Sequence, residues 1–262
     1  MPRVSVIMGI YNCASTLEEA LDSLFAQTFQ DFEIVLCEDG SKDNTYVVAQ
    51  KIASEHSNVK LLRNERNMGL NVTLNNCLNI VEGEYIARMD GDDISLPTRF
   101  EKEVAFLDVH PEYAIVSAPM IHFDEAGDFR WGRGGYEPSL KEFARQVPFC
   151  HAPCMVRKTA YDAVHGYSVG EYLLRQEDYH LWIQMYQHGF RGYMLAEQLY
   201  KMRDDRNAVA RRNWVSRRNE AYAKWTACRV FHLPFYCYLF CLKPIILYFT
   251  PRSIYKWLHK VS

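Results

Sequence analysis

Three carboxylates within four positions, Asp90, Asp92 and Asp93, stand in the run ARMDGDD directly after an apolar stretch. Such crowding is unfavourable unless something positive sits among the groups. A divalent cation, Mn²⁺ or Mg²⁺, is the natural partner. It takes one or two carboxylates plus phosphate oxygens, and as a Lewis acid it offsets charge building on a departing diphosphate. The open alternative is a solvated Asp-Gly turn. A second acidic group, Glu38 and Asp39, leads into Gly40 and Ser41. Asp39 could accept a hydrogen bond from a base edge such as an imide N–H, and Tyr11 could stack on a planar base. Turn formation with helix capping, and a tyrosine that merely plugs a loop, are the competing readings. A third pair, Glu177 and Asp178, opens the run EDYHLWIQMY. One of the two could act as a general base, or both could simply complement the positive end of a helix.

The surrounding pattern predicts elements that would bring these groups together. VSVIMGIYN reads as a buried strand, and Ser15 with Glu18 forms a capping-box pattern ahead of Leu17, Ala20, Leu21, Leu24 and Phe25 at helical spacing. Phe32 to Cys37 is a second strand, Val59 to Leu62 a third, Leu70 to Val81 a helix and Tyr85 to Met89 a fourth strand. Beyond Pro97, Phe100, Val104 and Leu107 predict a helix that leads to a strand over Ala114 to Ala118. Alternation of this kind implies a mostly parallel α/β sheet covered by helices. Such sheets bind ligands outside the carboxyl ends of their strands, where both acidic groups fall. Past Ala118 the alternation fades into a mixed region.

The 262 residues are nearly half apolar, enough for a sizeable core. Thirty basic against thirty-two acidic residues give a formal charge of -2, so no global field draws the chain to nucleic acid. Eight irregularly placed cysteines and no secretory leader pattern point to reduced thiols in the cytosol. Cys150 and Cys154 bracket His151, a weak zinc pattern better read as small buried residues. No Gly-rich first loop of the kind used by nucleotidyltransferases or dehydrogenases is present.

Taken in order, VSVIMGIYN, EDGS, ARMDGDD and EDYHLW resemble the family 2 glycosyltransferases of GT-A fold over roughly residues 3 to 205. QTFQDFEIVLCEDGS, RNMGLN, ARMDGDDISLPTRFEKE and FCHAPCMVR are similar to bacterial capsule and exopolysaccharide glycosyltransferases. The resemblance implies inverting transfer from a nucleotide diphosphate sugar, a UDP-sugar above all, to a hydroxyl of a lipid-linked glycan. Asp178 matches the base. Asp90 and Asp92 match the DxD pair at the donor and metal, with Asp93 assisting. Tyr11, Glu38, Asp39 and Asn67 match the donor side, and Glu38 departs from the commoner Asp. Arg203 matches a loop residue over the diphosphate, while His151 and Glu177 fall on the acceptor side. The rival from another class is a donor-binding subunit without turnover in a polysaccharide assembly complex.

The expected organisation is a catalytic domain to about residue 205, donor side about 1–118 and acceptor side about 119–205, then a helical segment over 206–262. Between Arg203 and Arg229 eight basic residues face three acidic ones, which reads as a solvated helix face. Leu233 to Phe249, LPFYCYLFCLKPIILYF, is interrupted by Lys243 and Pro244 and falls short of the roughly 20 residues of a bilayer span. Lying in the interface suits it better, with Arg252, Lys256, His259 and Lys260 meeting anionic lipid on the inner face of the cell membrane. Oligomer contact, or packing on the catalytic domain, is the other reading.

Overall fold

The computed structural model describes residues 1–204 and 213–250. Its central sheet has seven strands: β1 (Val4–Ile10), β2 (Phe32–Glu38), β3 (Val59–Arg63), β4 (Tyr85–Arg88), β6 (Ile115–Ser117), β9 (Met155–Arg157) and β10 (Gly192–Met194). Their order is β10-β6-β9-β4-β1-β2-β3. The strands β3, β2, β1 and β4 run parallel, so the ends of β1, β2 and β4 share one rim. Antiparallel β9 is wedged between β4 and β6. It makes the sheet mixed, a feature the alternating pattern does not announce.

Side chains alternate across the sheet, as the period of two requires. On β1, Val4, Val6, Met8 and Ile10 enter one core layer, beneath the helices α1 (Leu17–Phe25), α2 (Thr45–Glu55) and α4 (Arg99–Val109). Ile7 enters the other, with α3 (Leu70–Leu78), α6 (Lys158–Val164) and α7 (Glu177–Gln187). Burial of a Leu, Ile, Phe or Met side chain contributes about 1.5–3 kcal/mol, and both faces are used this way. A smaller sheet, in the order β5 (Ile94–Ser95), β11 (Tyr200–Arg203), β7 (Met120–Asp124) and β8 (Gly127–Trp131), stands beside the rim.

Two expectations change on contact with the structure. The capping box at Ser15 and Glu18 does not form. Helix α1 follows Thr16, whose hydroxyl donates instead to the carbonyls of Gly91 and Cys13, tying the helix to the DGDD turn. The basic stretch is only in part a solvated face where it is described: Arg229 is exposed, but two others are not. On α8 (Trp214–Val230), Arg217 and Lys224 are buried, Arg217 is paired with Glu220, and Lys224 donates to the carbonyl of Arg145. Ala223 and Ala227 of the same helix join the core around Trp182. Packing is therefore continuous from the sheet into α8. A short α5 (Glu142–Arg145) lies against it.

After α8 a 3-10 segment (Phe235–Cys241) leads into α9 (Leu242–Phe249). Cys237 anchors this region, but Phe235 and Phe249 remain 84% and 72% exposed, and Leu239 and Ile246 are exposed beside them. Among the described residues no helix is long and apolar enough to cross a membrane. Arg252, Lys256, His259 and Lys260 lie outside the described residues.

Candidate active site

Strand β4 runs into the DGDD turn through a tight contact. A Cβ on Gly91 would stand 2.8 Å from the Cys13 Sγ, so the turn lies flat on the loop after β1 only because position 91 is glycine. A cleft of about 290 Å³ opens here, lined by Tyr11, Cys13, Thr16, Asp90, Asp92 and Arg203 among others. Tyr11 is 41% exposed on its edge. Asp92 reaches solvent and Asp90 is half-buried. Desolvation within the cleft, together with the neighbouring Asp90, pushes the Asp92 carboxyl above the usual range. Asp90 is paired with Arg88, and Asp92 is a carboxylate in want of a cation.

Asp93 is placed differently from the expectation. It is buried, its Oδ1 accepts the Arg203 N–H at 2.8 Å, and burial followed by the charges of Asp90 and Asp92 raises its pKa well above the usual range. It fastens the turn to β11 and does not line the cleft. Arg203 also differs: it ends strand β11 rather than riding on a loop. Its guanidinium bonds the Asp92 carbonyl at 3.0 Å and Glu19 at 2.5 Å, and it stacks over Phe123. The donor set that remains is Asp92 and Asp90. Among the described residues no three His, Cys, Asp or Glu side chains converge as a metal cage. Two rim carboxylates suit a hard divalent cation that draws its remaining ligands from phosphate oxygens and water.

The neighbouring EDGS loop is committed to the protein. Glu38 is fully buried, bonding the Ser41 N–H through one oxygen and Arg63 through the other at 3.2 Å. Asp39 accepts from Asn64 Nδ2 at 2.8 Å, the Met68 N–H at 2.7 Å and the Gly69 N–H at 3.0 Å. The loop carrying Asn67 is thus folded around Asp39. Gly40, at φ +69°, makes this possible, since a Cβ there would lie 2.6 Å from the Arg66 backbone. A carboxylate has about four acceptor positions, so one of Asp39's remains. Glu38, Asp39 and Asn67 do not line the cleft beside Tyr11.

Asp178 sits in the first turn of α7, where its Oδ1 accepts the Tyr179 N–H at 2.7 Å. Burial, reinforced by Glu177, pushes its carboxyl up to about 7. Glu177 accepts the Arg175 N–H at 2.9 Å and is itself raised by burial. His151 is buried beneath, with Nε2 at 2.7 Å from the Tyr167 hydroxyl. Burial and the nearby Arg88 push it well below the ordinary imidazole range, so it stays neutral. Cys150, pushed up to about 12 by burial, feels both Asp178 and Asp93. The structure therefore brings the EDYH helix and the DGDD turn into one electrostatic neighbourhood. At its centre is a residue the sequence reading passed over, Arg88, whose ion pair with Asp90 adjoins the fields of Asp178 and Asp92. Its signal was a lone charge in the apolar strand YIARM.

With this geometry in place, the comparisons decide the family. The pattern described as "Glycosyl transferase family 2" matches residues 5–165. The chain belongs to glycosyl transferase family 2. It is similar to the "Putative glycosyltransferase EpsE" of Bacillus subtilis, 42% identical over 99% of this chain and 94% of that one. It is also similar to the "UDP-Gal:alpha-D-GlcNAc-diphosphoundecaprenol beta-1,3-galactosyltransferase" of Escherichia coli, 30% identical over 82% of this chain and 78% of the other. Two solved structures share the fold. S. aureus TarS 1-349 in complex with UDP-GlcNAc has a TM-score of 0.72 at 18% identity, covering 94% of this chain and 71% of that one. The mannosyltransferase PcManGT of Pyrobaculum calidifontis, in complex with GDP-Man and Mn²⁺, has a TM-score of 0.61 at 16% identity, covering 96% and 81%. This family 2 protein is a glycosyltransferase of GT-A fold, an enzyme of the transferase class.

Proposed function

We propose that this family 2 enzyme is an inverting glycosyltransferase that moves a sugar from a UDP-sugar to a hydroxyl of a lipid-linked glycan, with Asp178 as general base. The observation that carries the reading is Asp178 itself: a carboxyl poised near neutrality at a helix start, facing the same buried cation as the DGDD turn. A base acts best when its pKa lies near the working pH. Tyr11 stacks on the uracil, and Asp39 offers its remaining acceptor position to the imide while it orders the loop bearing Asn67. Asp92, with Asp90, would hold Mn²⁺ or Mg²⁺, whose charge offsets that of the leaving diphosphate. Asp178 takes the acceptor's proton as that oxygen attacks the anomeric carbon from the face opposite the leaving group. Glu177 and His151 shape the acceptor side from beneath.

The donor and acceptor classes are supported by the E. coli relative, whose name specifies a UDP-sugar and a diphosphoundecaprenol-linked acceptor. The test is a panel of nucleotide sugars with Mn²⁺ and the wild-type enzyme, followed by Asp178→Asn with the best donor. The variant is expected to keep donor affinity and lose transfer by about a hundredfold or more. Near-normal transfer would remove Asp178 from the role. A wild type that binds a donor but transfers to no lipid-linked acceptor would instead favour the donor-binding subunit.

An acceptor held in a lipid surface requires the enzyme to meet that surface. The exposed side chains of Phe235, Leu239, Ile246 and Phe249 suit peripheral contact, since each one buried in the interface contributes about 1.5–3 kcal/mol. In flotation with anionic liposomes, the protein carrying Ile246→Ser and Phe249→Ser is expected to remain in the lower fraction while the wild type floats. If both remain below at equal donor affinity, these side chains serve an oligomer contact or packing surface instead.

A further inference from the structure

Arg88 ends β4 two residues before Asp90 and is only 3% exposed. Burying a guanidinium costs several kcal/mol unless ion pairs and hydrogen bonds compensate. The contrast with the other buried arginine of this region is direct. Arg99 bonds Glu103 through Nε at 3.1 Å, and its Nη2 reaches the carbonyls of Arg88, Ala152 and Cys154 within 3.3 Å. That is a structural clamp. Arg88 touches the Asp90 carboxylate through Nη1, and its Nε makes no hydrogen bond among the described residues. A guanidinium this deeply buried on one carboxylate, where Arg99 has a carboxylate and three carbonyls, calls for an explanation.

Its surroundings supply one. From the DGDD turn, Asp90 and Asp92 interact with it. From α7, Glu177 and Asp178 do so. From the segment before β9 come Cys150 and neutral His151, and the phenols of Tyr167 and Tyr200 complete the shell. Four carboxylates on two separate elements repel one another across the site, and Arg88 stands between them. A cation held by the DGDD carboxylates would balance the donor side alone. Arg88 serves both sides and is part of the chain.

We propose that Arg88 is a positioning residue for sugar transfer, a resident cation that holds Asp90 on the donor side and faces Asp178 on the acceptor side, fixing the spacing between the two. This rests on the reading of Asp178 as the base. The groups facing Asp178 are Glu177, Cys150, Tyr179 and Arg88. Arg88 is the cation among them. Removing its charge should therefore lower turnover more than donor binding, and should disfavour the carboxylate form of Asp178.

The experiment compares Arg88→Met and Arg88→Lys with the wild type, using calorimetry with UDP and Mn²⁺, thermal unfolding, and the pH dependence of kcat and kcat/KM. For Arg88→Met we expect UDP affinity within about fivefold, kcat lowered about a hundredfold with KM little changed, and an acid limb moved to higher pH. Arg88→Lys should recover the acid limb and about tenfold of kcat. A loss confined to UDP affinity, KM or stability, with the acid limb unmoved, would make Arg88 a structural residue and overturn the proposal. Should Arg88→Met not fold, Arg88→Lys decides. Expected is a folded protein with the wild-type acid limb and kcat lowered about tenfold, whereas wild-type kcat or failure to fold overturns the idea. Asp178→Asn separates the two failures. If it transfers normally, the base assignment is wrong; if it is inactive and Arg88→Met is not, only the role of Arg88 falls.

Discussion

Two acidic loops stand side by side on the rim of the sheet, similar in composition and opposite in condition. In EDGS, Glu38 is closed off by Ser41 and Arg63, and Asp39 is taken up by Asn64, Met68 and Gly69. In DGDD, Asp92 reaches solvent with its pKa raised by desolvation and by Asp90. The first loop is satisfied by the protein but for one acceptor position of Asp39, and in the second Asp92 is left open. An acidic strand end is therefore read by what its oxygens already accept, and unmet acceptors mark where a ligand is required.

The sharpest way to break this comparison is Asp92→Ala. Since Asp92 lies on the open loop, the variant is expected to unfold at the wild-type temperature yet lose Mn²⁺-dependent UDP binding beyond calorimetric detection. Unchanged metal-dependent affinity in the folded variant would remove the DGDD turn from the metal site. Asp39→Ala should cost stability. It strands Asn64 Nδ2 and the Met68 and Gly69 N–H groups, and at about 1–3 kcal/mol for each unmet buried donor the denaturant midpoint should fall markedly. A midpoint equal to wild type would mean those three bonds do not hold the loop. The smallest effect sharpens the contrast on a third element. Asp178 is raised to about 7 in the fold against 3.8 ordinarily, so the native state binds more protons between those values and stability falls as pH rises through that window. Asp178→Asn is therefore expected to raise Tm by a few degrees at pH 8 and by less at pH 5. An equal gain at both pH values would place the origin elsewhere.

Much of the fold is legible from the residues because strongly patterned segments form the elements. VSVIMGI and FEIVLCE are buried on both faces of the sheet, and EDYHLWIQMYQ begins its helix at the acidic pair as its composition implies. What escaped depends on partners distant in sequence. The Ser15–Glu18 capping pattern is locally sound, but the helix starts after Thr16, whose hydroxyl is taken by the Gly91 carbonyl 75 residues away. The basic residues of α8 look solvated by count, whereas Lys224 is held by a carbonyl 79 residues away. Arg88 is the instructive case at the site. A reading of ARMDGDD for its carboxylates passes over Arg88, the buried cation paired with Asp90. Asp93 and Asp92 are indistinguishable as letters, and the Arg203 N–H is what turns one inward.

The wedge of β9 between β4 and β6 also bears on how the molecule comes into being. Residues 85–88 and 115–117 cannot be bridged until Met155–Arg157 have been synthesised, because β9 alone links them. A nascent chain that has just finished its first four strands therefore holds an unfilled sheet edge at β4, next to the DGDD turn. Closing it requires a loop of nearly seventy residues, the kind of non-local step that slows folding. The Arg99 guanidinium, which ties the Arg88 carbonyl to those of Ala152 and Cys154, can make its bonds only after this insertion. The first four strands thus do not close as a sheet by themselves: their edge at β4 is filled by a strand from much later in the chain, in a single late event.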